Sequence, residues 1–329
     1  MLRQERVSFA LPSPIPYQGI GDAVARRKPV FQRPRRKNRT RRSIEAAYDR
    51  MNRARPDPGM PVHLRIVLLL AALSCATTVN SDVCTDTLFG QPTATTGLDA
   101  SACGAVCACE DEVWEPRALS EETLVRLEGL VLSNPRAPLV EDPYERTPDL
   151  QPQDGVCATR WEAGTSAYEL HSYASAAEAQ REGAEVTHTG ACGQCSGLQN
   201  LAVYARYPDL TDPVRDCGID AIFAGIEANI TCLMALGFDE PCAQIWAYNT
   251  THTREVCLEP CLAMLDEPHH EPDGTLNACI QCDEDQSGPV FKAVSGRTRR
   301  NSGLPSALCR PCESVSRVSH EHWEEALGS

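Results

Sequence analysis

Cys192-Gly-Gln-Cys195 places two sulfurs where they could do chemistry. The run "AEVTH" before them reads as a strand and "SGLQNLAVYA" after them as a helix, so both cysteines fall near a helix N-terminus. Backbone N–H groups there stabilise a thiolate, and His188 is close in sequence, so Cys192, Cys195 and His188 could form a redox site. Alternatively, the two sulfurs are anchors of a disulfide framework. The tail repeats the spacing at Cys279-Ile-Gln-Cys282 and Cys309-Arg-Pro-Cys312, with 26 residues between the pairs. In a reducing compartment such pairs hold zinc, and in an oxidising one they form disulfides. No such pair is followed by His, which excludes c-type haem attachment.

Oxygen and nitrogen donors cluster elsewhere in the tail. "DEDQSG" sets Asp283, Asp285 and Ser287 at the first, third and fifth positions of a calcium loop with Gly288 at the sixth, but Val294 stands where a closing Glu is needed. A solvated acidic turn is the plainer reading, and no cofactor other than Ca2+ is suggested. "GRTRRNSG" concentrates Arg297, Arg299 and Arg300, planar donors suited to phosphate or carboxylate, or to ion pairs with the nearby acids. The sequons at Asn229 and Asn249 accept glycans where exposed. Around the second, "YNTTHTR" offers Tyr248, Asn249, His252 and Arg254 as a cleft lining or as a buried, satisfied polar belt.

The compartment decides between thiol chemistry and cross-links. From Met60 the chain reads "MPVHLRIVLLLAALSCATT", a short basic region, an apolar run and small residues, with Ser74-Cys75-Ala76 as a cleavage site. The run is too short and too interrupted for a stable membrane span. Residues 1–59 carry 15 Lys/Arg against 5 Asp/Glu without apolar periodicity, a basic disordered extension. Either translation starts at Met60, or this stretch is a cytosolic arm ahead of a signal anchor. With its +10 removed from the net −14, the remainder stands at −24, which argues against nucleic acid as a partner and leaves an unidentified protein or small molecule. Of 17 cysteines, Cys75 lies in the signal segment, and the other sixteen permit complete pairing. That parity favours a secreted or luminal framework with no catalytic residue assigned.

The elements that must position these residues are mostly helical. Ser120, Glu121 and Glu122 start a helix with Leu124, Leu127 and Val131 on one face, stopped at Asn134-Pro135. Residues 135–153 carry five prolines and read as a linker. "CATRWEAG" and "AYELHSY" predict a hairpin, and Ser175 with Glu178 a capping box. Thr211-Asp212-Pro213 opens a helix expected to run to Gly237, with Ile219, Ile222, Phe223, Ile226, Ile230 and Leu233 in one buried stripe. Asp239 caps the next helix, to about Pro260. Cys217, Cys232, Cys242 and Cys257 are symmetric about Gly237, so an antiparallel hairpin pairs Cys232 with Cys242 and Cys217 with Cys257, two rungs about 22 Å apart.

The strand and helix around Cys192-Gly-Gln-Cys195 are similar to the setting of a thioredoxin-like motif, though no βαβ alternation follows. The segment also resembles the papain family's active-site motif, which would make Cys195 a nucleophile; here Gln194 and Ser196 depart from the pattern, and Thr189 stands where the oxyanion glutamine is expected. Arg297, Arg299 and Arg300 look like a proprotein-convertase site. Across 157–312, "VTHTGACGQCSGLQNLAVY", "CAQIWAYNTTHTREVC" and "LNACIQCDEDQSGPVFKAVSGRTRRNSGLPSALCRPC" resemble an uncharacterised cysteine-rich secreted family of unicellular eukaryotes. The resemblance implies a domain boundary and no activity.

The expectation is therefore a mainly α, α+β, disulfide-rich domain with a small antiparallel sheet and a bridged helical hairpin. Along the chain it runs as extension 1–59, signal 60–76, cysteine-rich segment 77–134, linker 135–153, core 154–312 and tail 313–329. Its function is that of a binding or structural module. The rivals are a thiol-disulfide oxidoreductase using Cys192 and Cys195, and a calcium- or anion-binding module using the C-terminal segment.

Overall fold

The computed structural model describes residues 84, 87–109, 112–146, 154–162, 164–321 and 323. The chain divides into two units, Met1–Thr78 and Val79–Ser329, and everything described belongs to the second. The basic extension, the signal segment with Cys75, and residues 147–153 of the linker lie outside the described residues.

The protein is a mixed α+β domain, more helical than stranded. Short strands come first: β1 (Leu88–Phe89) pairs with β2 (Cys103–Gly104), and β3 (Cys107–Cys109) with β4 (Glu112–Trp114). Helix α1 spans Glu121–Glu128, with Ser120 Oγ accepting from Thr123 N at 3.1 Å. It ends at Gly129, earlier than expected, so Val131 is 57% exposed and belongs to β5 (Val131–Leu132) rather than to a helical face.

The main sheet has order β5-β7-β6-β8, with β6 at Val156–Trp161, β7 at Ala167–Tyr173 and β8 at Glu185–Thr189. The hairpin forms as read, Val156 opposite Tyr173 and Trp161 opposite Tyr168, with β8 antiparallel on the other edge of β6; β5 adds a parallel strand. Alternation puts Tyr168 and Leu170 of β7 on the buried face. Helix α2 (Ala176–Arg181) carries its capping box: Ser175 Oγ accepts from Glu178 N, and the Glu178 carboxylate from Ala174 N at 2.8 Å. Helix α3 (Leu198–Arg206) is central, with Leu198, Leu201, Ala202 and Val203 fully buried.

The next stretch departs from expectation. The helix predicted over 211–236 is two, α4 (Thr211–Ala224) and α5 (Ile226–Ala235), broken at Gly225 with φ 85° and ψ 175°. That region of backbone space is essentially closed to residues with a Cβ. The apolar stripe divides with the helix: Ile230 and Leu233 of α5 are buried, whereas Ile219, Ile222 and Phe223 of α4 are 50%, 49% and 97% exposed. Helix α6 spans Glu240–Ala263, with Asp239 Oδ1 capping Cys242 N at 3.0 Å. Helices α7 (Ala278–Gln286) and α8 (Gly288–Ser295) follow.

All sixteen cysteines from Cys84 onward are in disulfides: 84–109, 103–309, 107–312, 157–192, 195–242, 217–232, 257–282 and 261–279. A bridged helical hairpin exists, but its turn is Gly225 and its rung is Cys217–Cys232, which corrects the expected pairs Cys232–Cys242 and Cys217–Cys257. Once α4 folds back on α5, Cys232 faces Cys217, and Cys242 is left for Cys195 while Cys257 meets Cys282 of α7. Cys279 and Cys282 likewise bond to α6, and Cys309 and Cys312 to the N-terminal segment, so neither C-x-x-C pair of the tail closes on itself or stands together as a metal site. The N-terminal segment and the core are thereby one unit.

The break makes a signed test. In a continuous helix, replacing Gly225 with Ala would add about 1 kcal/mol. A Cβ at Gly225 meets nothing within 4 Å. The cost of Gly225→Ala is therefore backbone strain alone, and we expect it to destabilise by about 1–3 kcal/mol, read as a lowered urea midpoint of the oxidised protein. A raised midpoint would show that α4 and α5 run on as one helix.

Candidate functional site

The Cys192–Cys195 loop, His188 and Arg297 meet in one place, and the structure spends them on the fold. Cys192 is bonded to Cys157 of β6 and Cys195 to Cys242 at the start of α6. The redox-pair reading is corrected here, because the two sulfurs belong to different bridges. The donors that would stabilise a thiolate are also committed: Gln194 N donates to Val294 O (3.0 Å), Cys195 N to Ser295 O (2.8 Å), and Leu198 N to Tyr168 Oη (2.8 Å). Gly193 and Gly296 make that approach feasible, since a Cβ on Gly193 would lie 2.5 Å from Gly296 N and Val294 O. The papain-like reading falls with it, Cys195 being fully buried.

His188 is fully buried too, in a fixed tautomer. Its Nδ1 lies 2.8 Å from Thr189 O, which only accepts, so Nδ1 carries the proton and Nε2 accepts from Ser196 Oγ at 2.7 Å. Ser196 Oγ in turn accepts from Gly193 N (2.8 Å). A serine and a histidine in contact suggest a nucleophile and base, but neither reaches solvent, so they act as a clasp. Burial, with the nearby Arg297 charge, pushes His188 well below its ordinary value.

Arg297 closes the same knot. It is fully buried, and all five of its N–H donors are used: Nε on Cys195 O, Nη1 on Thr187 O and Ser302 Oγ, Nη2 on Thr187 Oγ1 and Ser196 O. Arg299 donates to Tyr204 O and Tyr207 O and lies 5.5 Å from the Tyr204 ring centroid. Burial lowers both guanidinium groups to about 10, so they remain charged at neutral pH. The expectation of an anion site at Arg297, Arg299 and Arg300 is corrected for the first two, whose donors face backbone carbonyls. Burial of Arg297 likewise removes the convertase reading.

The calcium reading is also corrected. Asp283 and Asp285 lie in α7 and Ser287 caps its end, so the donors follow a helix instead of wrapping an ion. Among the described residues no group of His, Cys, Asp or Glu is arranged to hold a metal. Asp283 accepts from Asn249 Nδ2 (3.2 Å) and Thr253 Oγ1, while Tyr144 Oη donates to Asn249 Oδ1 (2.7 Å). His252 stacks on Tyr144 and its Nδ1 lies 2.9 Å from Ser287 Oγ. Of the four residues read as a cleft lining or polar belt, Asn249 and His252 join this belt while Arg254 is exposed, and burial raises the Asp283 carboxyl within it. Both glycan acceptors are buried in helices, with Asn229 Nδ2 on Thr250 Oγ1 (3.0 Å) and Asn249 in the belt. The exposure on which their glycosylation is conditional is not met in this fold, where both side chains are buried.

What remains open is a groove of about 410 Å³. Ile219 and Ile222 of α4, Leu258 and Leu262 of α6, and the rings of Trp246 and Phe291, 4.6 Å apart, are among its apolar lining. Glu284, also in the lining, is shared by Lys292 (2.9 Å), Arg300 (3.2 Å) and Arg310 (2.6 Å). Burial works to raise Glu284, but Arg310, Lys292 and Arg300 outweigh it and hold the carboxyl below the usual range. Of the cleft candidates, Asn249 and Arg254 line this groove, and of the anion candidates Arg299 and Arg300 do. Sequence reading missed Lys292, Glu284 and Arg310: Glu284 and Arg310 stand inside DEDQSG and Cys309-Arg-Pro-Cys312, where the calcium and cysteine spacings fall on their neighbours, and the available signal for the groove was Gly225, which frees Ile219 and Ile222 from the core.

The fold thus defines a disulfide-stabilised α+β domain with a broad, mostly apolar groove that is also lined by a basic cluster. A family model described as a family of unknown function (DUF8771) matches residues 226–318, under a third of the chain. That span holds α5 to α8 and the basic cluster, and leaves out α4 and the main sheet. No curated protein and no solved structure matches the chain.

Two measurements test the knot. Lysine has three donors on a flexible stem and cannot replace a five-donor fork, and each buried acceptor left bare costs about 1–3 kcal/mol. Arg297→Lys is therefore expected to lose about 3 kcal/mol or more, as a drop in the urea midpoint; a loss under 1 kcal/mol would contradict the network. For His188 the folded value is depressed, so below about pH 6.5 the unfolded chain takes up a proton that the folded chain refuses. Its contribution to stability is complete above that pH and declines by about 1.4 kcal/mol per unit as pH falls, while Asp239 and Asp283, raised by burial, work in the opposite direction. The direct readout is the imidazole proton shift by NMR, which stays flat from pH 7 to 5; a midpoint near 6.5 in the folded protein is the contrary result.

Proposed function

We propose that this chain is a secreted or luminal binding module that takes a small molecule into the groove between α4, α6 and α8. The observation that carries the reading is the open apolar wall. Ile219 and Ile222 together with Leu258 and Leu262 are each about half-exposed around one concave volume. Such a volume lies within the range of roughly 300–1,000 Å³ usual for ligand sites, with apolar walls and few polar groups.

Eight disulfides support an oxidising compartment. Among the described residues no helix is long and apolar enough to cross a membrane. The signal segment read at 60–76 supplies the route. The bridges hold the two walls: Cys217–Cys232 ties α4 to α5, and Cys257–Cys282 with Cys261–Cys279 ties α6 to α7. A site held this way is largely preformed, which reduces the ordering cost of binding.

Titration with the neutral dye Nile red tests the groove. We expect one molecule bound per chain, and at least tenfold weaker binding in Ile222→Asp and in Leu262→Asp. Both residues are half-exposed, so neither change empties the core. Equal affinity in the wild type and both variants would remove the groove from the account.

A further inference from the structure

Charge around the groove runs against the charge of the chain. Arg215, Arg254, Lys292, Arg299, Arg300 and Arg310 line it against three carboxylates, Asp209, Asp283 and Glu284, in a protein of net charge −14. Asp209 is occupied by His269 (2.9 Å) and Thr95 (2.6 Å), and Asp283 by the polar belt. Glu284 is the carboxylate in direct contact with Lys292, Arg300 and Arg310, and Asp283 behind it also acts on Lys292 and Arg310, so three cations against two carboxylates leave a local excess of one positive charge. The side chains of Lys292 and Arg300 are 39% and 33% exposed, so their free donors can reach a ligand.

We infer that the groove binds a single-chain amphiphile with a carboxylate head, its tail along Ile222, Leu258 and Leu262 and its head on Lys292, Arg300 and Arg310. The inference rests on the groove being a ligand site, as proposed above. Three features select this class. The groove that the basic cluster lines is otherwise mostly apolar, which suits an alkyl chain. The volume stands at the small end of ligand pockets, which suits one chain over two. Guanidinium groups hold a carboxylate through paired, charge-assisted hydrogen bonds, stronger away from bulk water. The acidic remainder of the molecule repels the same head elsewhere, so the groove is the place where an anion is drawn in.

The test is calorimetric titration of the full oxidised chain with decanoate, decanol and acetate. We expect decanoate to bind at least tenfold more tightly than decanol, and acetate not to bind measurably. In the double variant Lys292→Gln with Arg300→Gln, Arg310 alone stands against the two carboxylates and the local excess is gone. Decanoate then binds that variant at most about twofold more tightly than decanol, while Ile222→Asp loses both ligands. If decanol binds the wild type as tightly as decanoate, the groove reading stands and the carboxylate head falls. If acetate binds as tightly as decanoate, the tail is irrelevant and the amphiphile falls. If no probe binds, both readings fall together. Near-ultraviolet circular dichroism and intact mass, which show each variant folded with eight bridges, keep a misfolded variant from passing as a loss of binding.

Discussion

The fold depends on a cation that has no anion. Arg297 sits at the junction of β8, the Cys192–Cys195 loop and the turn after α8, and its five N–H groups hold neutral oxygens from all three. Burying a charge costs several kcal/mol unless its solvation is replaced. Here five fixed dipoles replace it. In exchange, the carbonyls of Cys195, Ser196 and Thr187 gain a partner in a region no regular ladder reaches. Because the guanidinium fixes the loop, Gly193 meets Gly296 backbone to backbone, Cys192 comes within reach of the sheet, and Cys195 within reach of α6.

Disulfides and core divide the work by location. Leu198, Leu201, Val203, Leu233, Phe238 and Ile245 form an aliphatic and aromatic centre around α3 and α6, into which Cys157–Cys192 and Cys195–Cys242 are packed. Other bridges hold what that centre does not cover. Cys103–Cys309 and Cys107–Cys312, spanning 206 and 205 residues, fasten the N-terminal strands to the tail, where the local apolar cluster is small. Loop-closure gain rises only with the logarithm of loop length, from about 3 kcal/mol for 15 residues to about 4.7 for 100. The long bridges therefore matter less for their length than for joining segments with little else between them.

Local chemistry was legible in the sequence wherever it was local in space. Ser120, Ser175 and Asp239 cap the helices they were expected to cap, and the strands at 156–161 and 167–173 form the hairpin their alternation implies. Partner choice among cysteines was not legible, because it depends on which helix folds back where, and a palindrome of spacings about Gly237 concealed the break at Gly225. The arginines of 297–300 show the same limit from the other side. Residue type announced planar donors correctly, but nothing local indicates that Arg297 would turn inward to carbonyls while Arg300 would turn outward to Glu284. The buried sequons at Asn229 and Asn249 repeat it: a three-residue pattern carries no information about burial.

Gly225 links this misreading to function. Were α4 and α5 continuous, one stripe from Ile219 to Leu233 would face one way and be covered along its length. The break lets α5 give Ile230 and Leu233 to the core while α4 turns Ile219 and Ile222 to the groove. Leaving such side chains half-open forgoes part of the roughly 1.5–3 kcal/mol that full burial of each would add. The disulfide at Cys217–Cys232 then acts against collapse, fixing α4 to α5 so that the exposed wall cannot roll inward to cover itself. Stability forgone at one helix face is thus offset by a cross-link whose two cysteines, Cys217 and Cys232, flank the break at Gly225.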